Sequence, residues 1–146
     1  MKHLVAFALL ASSLALTGCE GLGQAMTAHT NVVARAAGHE PKARLADYLY
    51  VAQDPGEELL LGPAYAVPRL LERNGLSLSD IDVLEIHEAF AGQVLAVLRA
   101  LESDRFARER LGLGRRVGEV EMERVNAWGG SVSLGHPFGA TGARLV

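Results

Sequence analysis

The strongest constraint on the fold is a short apolar run followed almost at once by a helical pattern. Ile81, Val83, Leu84 and Ile86 fall within six residues, the length and composition of a buried strand. After His87 and Glu88, the residues Phe90, Val94, Val97, Leu98 and Leu101 recur at helical spacing over 89–101. A strand feeding a helix with so little chain between them implies a layered α/β arrangement. In open sheets of that kind chemistry gathers at the carboxyl ends of strands, and His87 stands at such an end.

The same reading extends in both directions. Ala34 to Ala37 can close a helix with Gly38 as its stop. Leu45, Tyr48, Tyr50 and Val51 suggest a strand, and Asp54-Pro55-Gly56 a turn. Ala64 to Arg73 reads as a helix ended by Asn74-Gly75, with Pro68 implying a late start or a kink. Ser77 to Asp80 is a polar connection, and 103–118 reads as a charged surface excursion. Val125 to Trp128 suggests a further short strand. It leads into a glycine-rich stretch, Gly129 to Gly142, that contains Gly135-His136-Pro137. Ala143 to Val146 begins another helix.

Composition excludes several functions. The 146 residues suit one ordinary domain, and with 49% apolar and 21% charged residues the chain is globular in character. A net charge of −3 provides no basic field for nucleic acid, and aromatic residues are sparse. One cysteine, Cys19, permits neither an internal disulfide nor a cysteine-rich metal site. The five histidines lack metal-ligand spacing: His87-Glu88 opens like a zinc-protease helix, but position 91 is alanine. The glycine-rich loop fits neither the P-loop nor the dinucleotide template.

His136 has the chemistry of a general base, since an imidazole titrates near neutrality and the helix after it offers free N–H groups. Taken alone, a Gly-His-Pro would do no more than bond a loop carbonyl. Glu88 reads as a first-turn acid favoured by the helix dipole, and Phe90 as core packing.

Read together and in order, the motifs are more specific. His87-Glu88-Ala89-Phe90, then Asn126-Ala127-Trp128-Gly129-Gly130-Ser131, then Gly135-His136-Pro137-Phe138-Gly139-Ala140-Thr141-Gly142 resemble the C-terminal signatures of the thiolase family. Leu61-Gly62-Pro63 and the residues to Pro68 resemble its Gly-Pro-x-x-A-x-P stretch. The resemblance covers about Pro41 to Val146, and histidine at position 87 is similar to the trifunctional β-subunit type, which acts on longer acyl chains in fatty acid β-oxidation. It implies a partial, truncated thiolase-like domain, α/β with a mixed sheet and helices, over 41–146, after a connecting region at 20–40.

The resemblance also implies roles. His136 would deprotonate a cysteine nucleophile and help hold the oxyanion. His87 would hold a water that completes the oxyanion hole. Ala89 and Phe90 would line the channel for the pantetheine arm, and Gly135 and Gly139 would shape the histidine loop. Coenzyme A thioesters would be substrates, with no further cofactor, and the expected partner is a second copy or a complementing thiolase half. The family's nucleophilic cysteine belongs to its N-terminal half and its second cysteine to a Cys-x-Gly segment. Cys19 matches neither, so the chain by itself is expected to be inactive.

Residues 1–19 carry an alternative. Lys2 and His3, the apolar stretch Leu4 to Leu16 and then Thr17-Gly18-Cys19 are built like a secretion signal ending in a lipobox, which would lipidate Cys19 and anchor a non-catalytic binding module to a membrane. Ser12 to Gly18 and the alanine-rich stretch after it also echo a thiolase segment. Because coenzyme A thioesters are cytoplasmic metabolites, the expected location is the cytoplasm.

Overall fold

The structure is a computed structural model that describes residues 35–40, 43 and 45–145. The signal-like segment and Cys19 lie outside the described residues. The helix expected at 34–37 is described from residue 35. It closes at Gly38, whose φ of 79° accompanies a bond from its N–H to the Arg35 carbonyl.

Helix α1 spans Gly62–Asn74. Pro63 sits in its first turn, where a missing N–H costs nothing. Pro68 lies inside the helix, which continues through it rather than starting late. Gly75 ends it at φ 63° and ψ 30°, and the Leu76 N–H reaches back 2.9 Å to the Leu71 carbonyl. Asp54 makes the expected turn: its carboxylate accepts from the Gly56 N–H at 2.7 Å and its carbonyl from the Glu58 N–H at 2.8 Å. The polar connection 77–80 is a 3-10 turn, Leu78–Asp80, closed by a reciprocal cap between Ser77 and Asp80.

Helix α2 spans Ala91–Leu101 and buries Val94, Val97, Leu98 and Leu101. These pack with Ala64, Val67, Leu70 and Leu71 of α1 and with Ile81, Leu84 and Ile86 into one core. The expected surface excursion begins instead with α3, Asp104–Phe106, continued by a π turn over Ala107–Leu111. Ala107 is fully buried and Phe106 packs against the core. Ser103 caps this element by accepting the Phe106 N–H.

The strands expected at 45–51, 81–86 and 125–128 are corrected. Among the described residues the chain at those places forms no named strand; 126–128 bend and turn, and the one β contact is an isolated parallel bridge between Leu84 and Val125. Two bonds make it: Leu84 N–H to the Arg124 carbonyl at 2.8 Å, and Asn126 N–H to the Leu84 carbonyl at 2.9 Å. The ladder stops there for a physical reason. Asn126 takes φ 49°, a left-handed conformation that asparagine tolerates, and the backbone turns away. Its side-chain amide then replaces the next rung, accepting the Ile86 N–H at 2.7 Å and donating to the Ile86 carbonyl at 3.0 Å. The glycine-rich stretch holds a short helix α4, Ser131–Leu134, and then α5, Gly139–Leu145.

Candidate active site

The segment 87–90 joins the extended chain at Ile86 to α2, and Phe90 caps α2 in an extended conformation. That conformation turns its ring outward, so Phe90 is 66% exposed and the core packing expected of it is corrected.

His87 meets the glycine-rich segment directly. Its Nδ1 lies 2.8 Å from the Ser131 hydroxyl, at the start of α4. His136 follows α4, and its Nδ1 lies 2.8 Å from the hydroxyl of Thr141, a buried residue of α5. Both histidines are thus tethered through Nδ1, and their rings stack with centroids 4.1 Å apart at a tilt of 34°. The Phe138 ring lies 5.1 Å from that of His136.

Two residues that the sequence placed far apart join these segments. Glu88 accepts from the Asn126 side-chain amide at 2.6 Å and from the Val132 backbone N–H at 2.9 Å. Its carboxylate therefore serves the N-terminus of α4, not that of the helix it precedes in sequence. Arg144 of α5 donates to the Gly129 carbonyl at 3.2 Å and approaches the Ser131 hydroxyl at 3.4 Å.

The paired imidazoles sit in the wall of a cleft of about 580 Å³ that Leu49, Gln53, Ala89, Gln93 and Gly142 also line. Of the two channel residues expected from the sequence, Ala89 faces this cleft and Phe90 does not; Gly135 and Gly139, expected to shape the histidine loop, lie outside its lining. Gly135 instead takes φ 91°, a turn that brings the chain from α4 to His136. Gln93 was not singled out by the sequence; its side-chain oxygen is buried at the cleft without a hydrogen-bond partner.

The His87 pKa is lowered from the ordinary histidine value. Burial is the main cause, the neighbouring His136 and Arg144 add to it, and Glu88 opposes it. A neutral imidazole can donate one hydrogen bond and accept another, as binding a developing oxyanion or moving a proton requires. Among the described residues, no group of three or more histidines, cysteines or carboxylates is placed to hold a metal, and no helix is long and apolar enough to cross a membrane.

Residues 39–146 match the family described as thiolase, C-terminal domain. The chain belongs to the thiolase family. This thiolase chain is 60% identical over 117 residues to a probable 3-ketoacyl-CoA thiolase of Caenorhabditis elegans, covering 80% of the chain and 26% of the relative. It is 58% identical over 113 residues to the mitochondrial trifunctional enzyme subunit beta of Bos taurus, covering 77% and 24%. The crystal structure of the dimeric peroxisomal thiolase of Saccharomyces cerevisiae superposes with a TM-score of 0.57 at 38% identity, covering 77% of this chain and 24% of that one. The chain thus superposes on part of the fold of that thiolase and spans about a quarter of the length of the relatives it matches.

Proposed function

We propose that this chain supplies the histidine-bearing part of a thiolase active site, acting on coenzyme A thioesters in the exchange between a 3-ketoacyl thioester plus free coenzyme A and two shorter acyl thioesters. The observation that carries this reading is the pair of imidazoles, each held through Nδ1, stacked 4.1 Å apart at the wall of one cleft. His136 would take the proton of a cysteine nucleophile, and His87 would help bind the oxyanion that forms when the thiolate attacks the carbonyl. Ala89 would face the pantetheine arm, with Gly135 and Gly139 setting the course of the loop around His136.

The relatives named for 3-ketoacyl-CoA and for the trifunctional enzyme support a β-oxidation substrate. The cysteine would come from sequence outside the family match, since the single cysteine of the chain, Cys19, precedes residue 39. A second copy or a nucleophile-bearing thiolase half would complete the site, consistent with the dimeric yeast structure. The same reading places the chain with cytoplasmic thioesters and leaves Cys19 unlipidated.

The test is thiolytic cleavage of acetoacetyl-CoA, followed by loss of the enolate absorbance. We expect the 146-residue chain alone to show no turnover above background, and turnover to appear when a nucleophile-bearing thiolase half is added. Substituting His136→Ala should then remove it by several orders of magnitude. Full turnover by the chain alone, or restored turnover indifferent to His136, would overturn the proposal.

A further inference from the structure

Gly130 shows where the site is most tightly specified. Its backbone, at φ −101° and ψ −172°, is ordinary extended chain that any residue adopts. A Cβ at that position would nevertheless collide with the carboxylate of Glu88. Glycine therefore stands at 130 to admit a side chain, not to permit a turn. Pressed against it, the Glu88 carboxylate spends both oxygens on the loop, one on the Asn126 amide at 2.6 Å and one on the Val132 N–H at 2.9 Å. Asn126 is in turn anchored to the core by two bonds to Ile86, which is 1% exposed. The chain from core to loop is thus continuous: Ile86, Asn126, Glu88, Val132. Ser131, which meets His87, lies between the two loop positions that Glu88 touches.

We infer that Glu88 is a positioning residue: by fixing 130–132 it holds the Ser131 hydroxyl on Nδ1 of His87 and so selects the tautomer with hydrogen on Nε2. The second neighbour of Ser131 favours this direction without forcing it, since the hydroxyl keeps a second lone pair. Arg144 carries only donors, and its guanidinium approaches the same hydroxyl oxygen at 3.4 Å. With a lone pair of Ser131 facing Arg144, its one proton is free to point at Nδ1. That nitrogen then accepts, and Nε2, the nitrogen left to the cleft, keeps its hydrogen. A ring set in this way presents a donor before substrate arrives, as an oxyanion site requires. The placement stands on the geometry alone. Its consequence for catalysis rests on the thiolase reading of His87.

The experiment is nitrogen-15 NMR of the histidine rings in the full chain, above the pH at which His87 titrates. In the parent protein Nδ1 of His87 should carry the shift of a bare ring nitrogen and Nε2 that of a protonated one. Ser131→Ala, Glu88→Ala and Gly130→Ala should each move both nitrogens towards a shared, averaged value. Gly130→Ala is the informative variant, because it keeps every side chain of the contact and only displaces the carboxylate. Core methyl signals of Leu70 and Leu101 report whether each variant is folded. Where Glu88→Ala fails that check, Glu88→Gln replaces it, since a single amide oxygen cannot serve both donors. An averaged pattern in the parent protein overturns the inference, as does a parental pattern retained in folded Gly130→Ala or in the folded Glu88 variant. Because this readout needs no turnover, a chain that fails the thiolysis test while showing these shifts would reject the proposed function and keep the positioning role.

Discussion

His87 carries two opposing influences, and their balance sets how the site responds to acid. Burial, His136 and Arg144 all disfavour its protonated form, and Glu88 alone among the named neighbours favours it. The net result is a folded pKa below the unfolded value of about 6.5. Between those two values the unfolded chain binds more protons than the folded one, so stability rises with pH there. The contribution is complete above about 6.5 and is lost as pH falls towards the folded value. We expect the ring-proton titration of His87 to have its midpoint below that of a free histidine, and Glu88→Gln to lower it further by removing the one favourable charge. A midpoint that rises in Glu88→Gln would show that the carboxylate charge does not favour the protonated ring. Both histidines were legible in the sequence: His136 as an ionisable ring in a glycine-rich stretch, His87 because it ends the apolar run 81–86. Ser131 and Thr141 were not, since a hydroxyl is assigned to a ring only by the path of the loop between them. Glu88 was misjudged because its position before a helix pointed to the wrong N-terminus.

Elements were legible where their pattern is local. The spacing of Val94, Val97, Leu98 and Leu101 fixes one face of α2, and those four residues are the buried ones. Phe90 fits the same spacing but drops out, because it precedes the first helical residue and its extended backbone breaks the register. The strands were not legible in the same sense. A strand exists only with a neighbouring backbone, and at Val125 the pairing ends because Asn126 turns aside and offers its side chain instead. Glycine at 75 was readable as a helix stop, whereas the late start offered at Pro68 does not occur: that proline lies buried inside α1. The two faces of α2 can be told apart by mutation. Leu101→Ala, at a fully buried position, should cost about 2–5 kcal/mol. Leu95→Ala, at a position 54% exposed, should change stability by no more than about 0.5 kcal/mol. Urea unfolding followed by circular dichroism measures both, and equal losses would mean that α2 is rotated from the orientation described.

At the scale of the molecule, the apolar side chains divide into two populations. Those of α1, α2 and the extended segment 81–86 close on one another, while those of the glycine-rich stretch do not. Trp128 is 90% exposed, Phe138 85%, Val132 64% and Leu134 58%, all on the segment that brings His136 to His87. A monomer rarely displays so many large apolar groups on one short stretch, and hydrophobic burial would drive them out of water at the first opportunity. Trp128 is the only tryptophan in the sequence, so it reports on this segment without interference. In dilute protein its emission should be that of a water-exposed indole, readily quenched by acrylamide. As concentration rises and molecules associate, the emission should shift to the blue and the quenching should weaken, in step with the mass measured by sedimentation. Trp128→Ser should remove the optical signal and also reduce association at a given concentration. A blue-shifted, poorly quenched indole in a monomeric sample would mean that Trp128 is already buried within its own chain. In that event the loop carrying His136 would pack inward, in a different arrangement from the open cleft described.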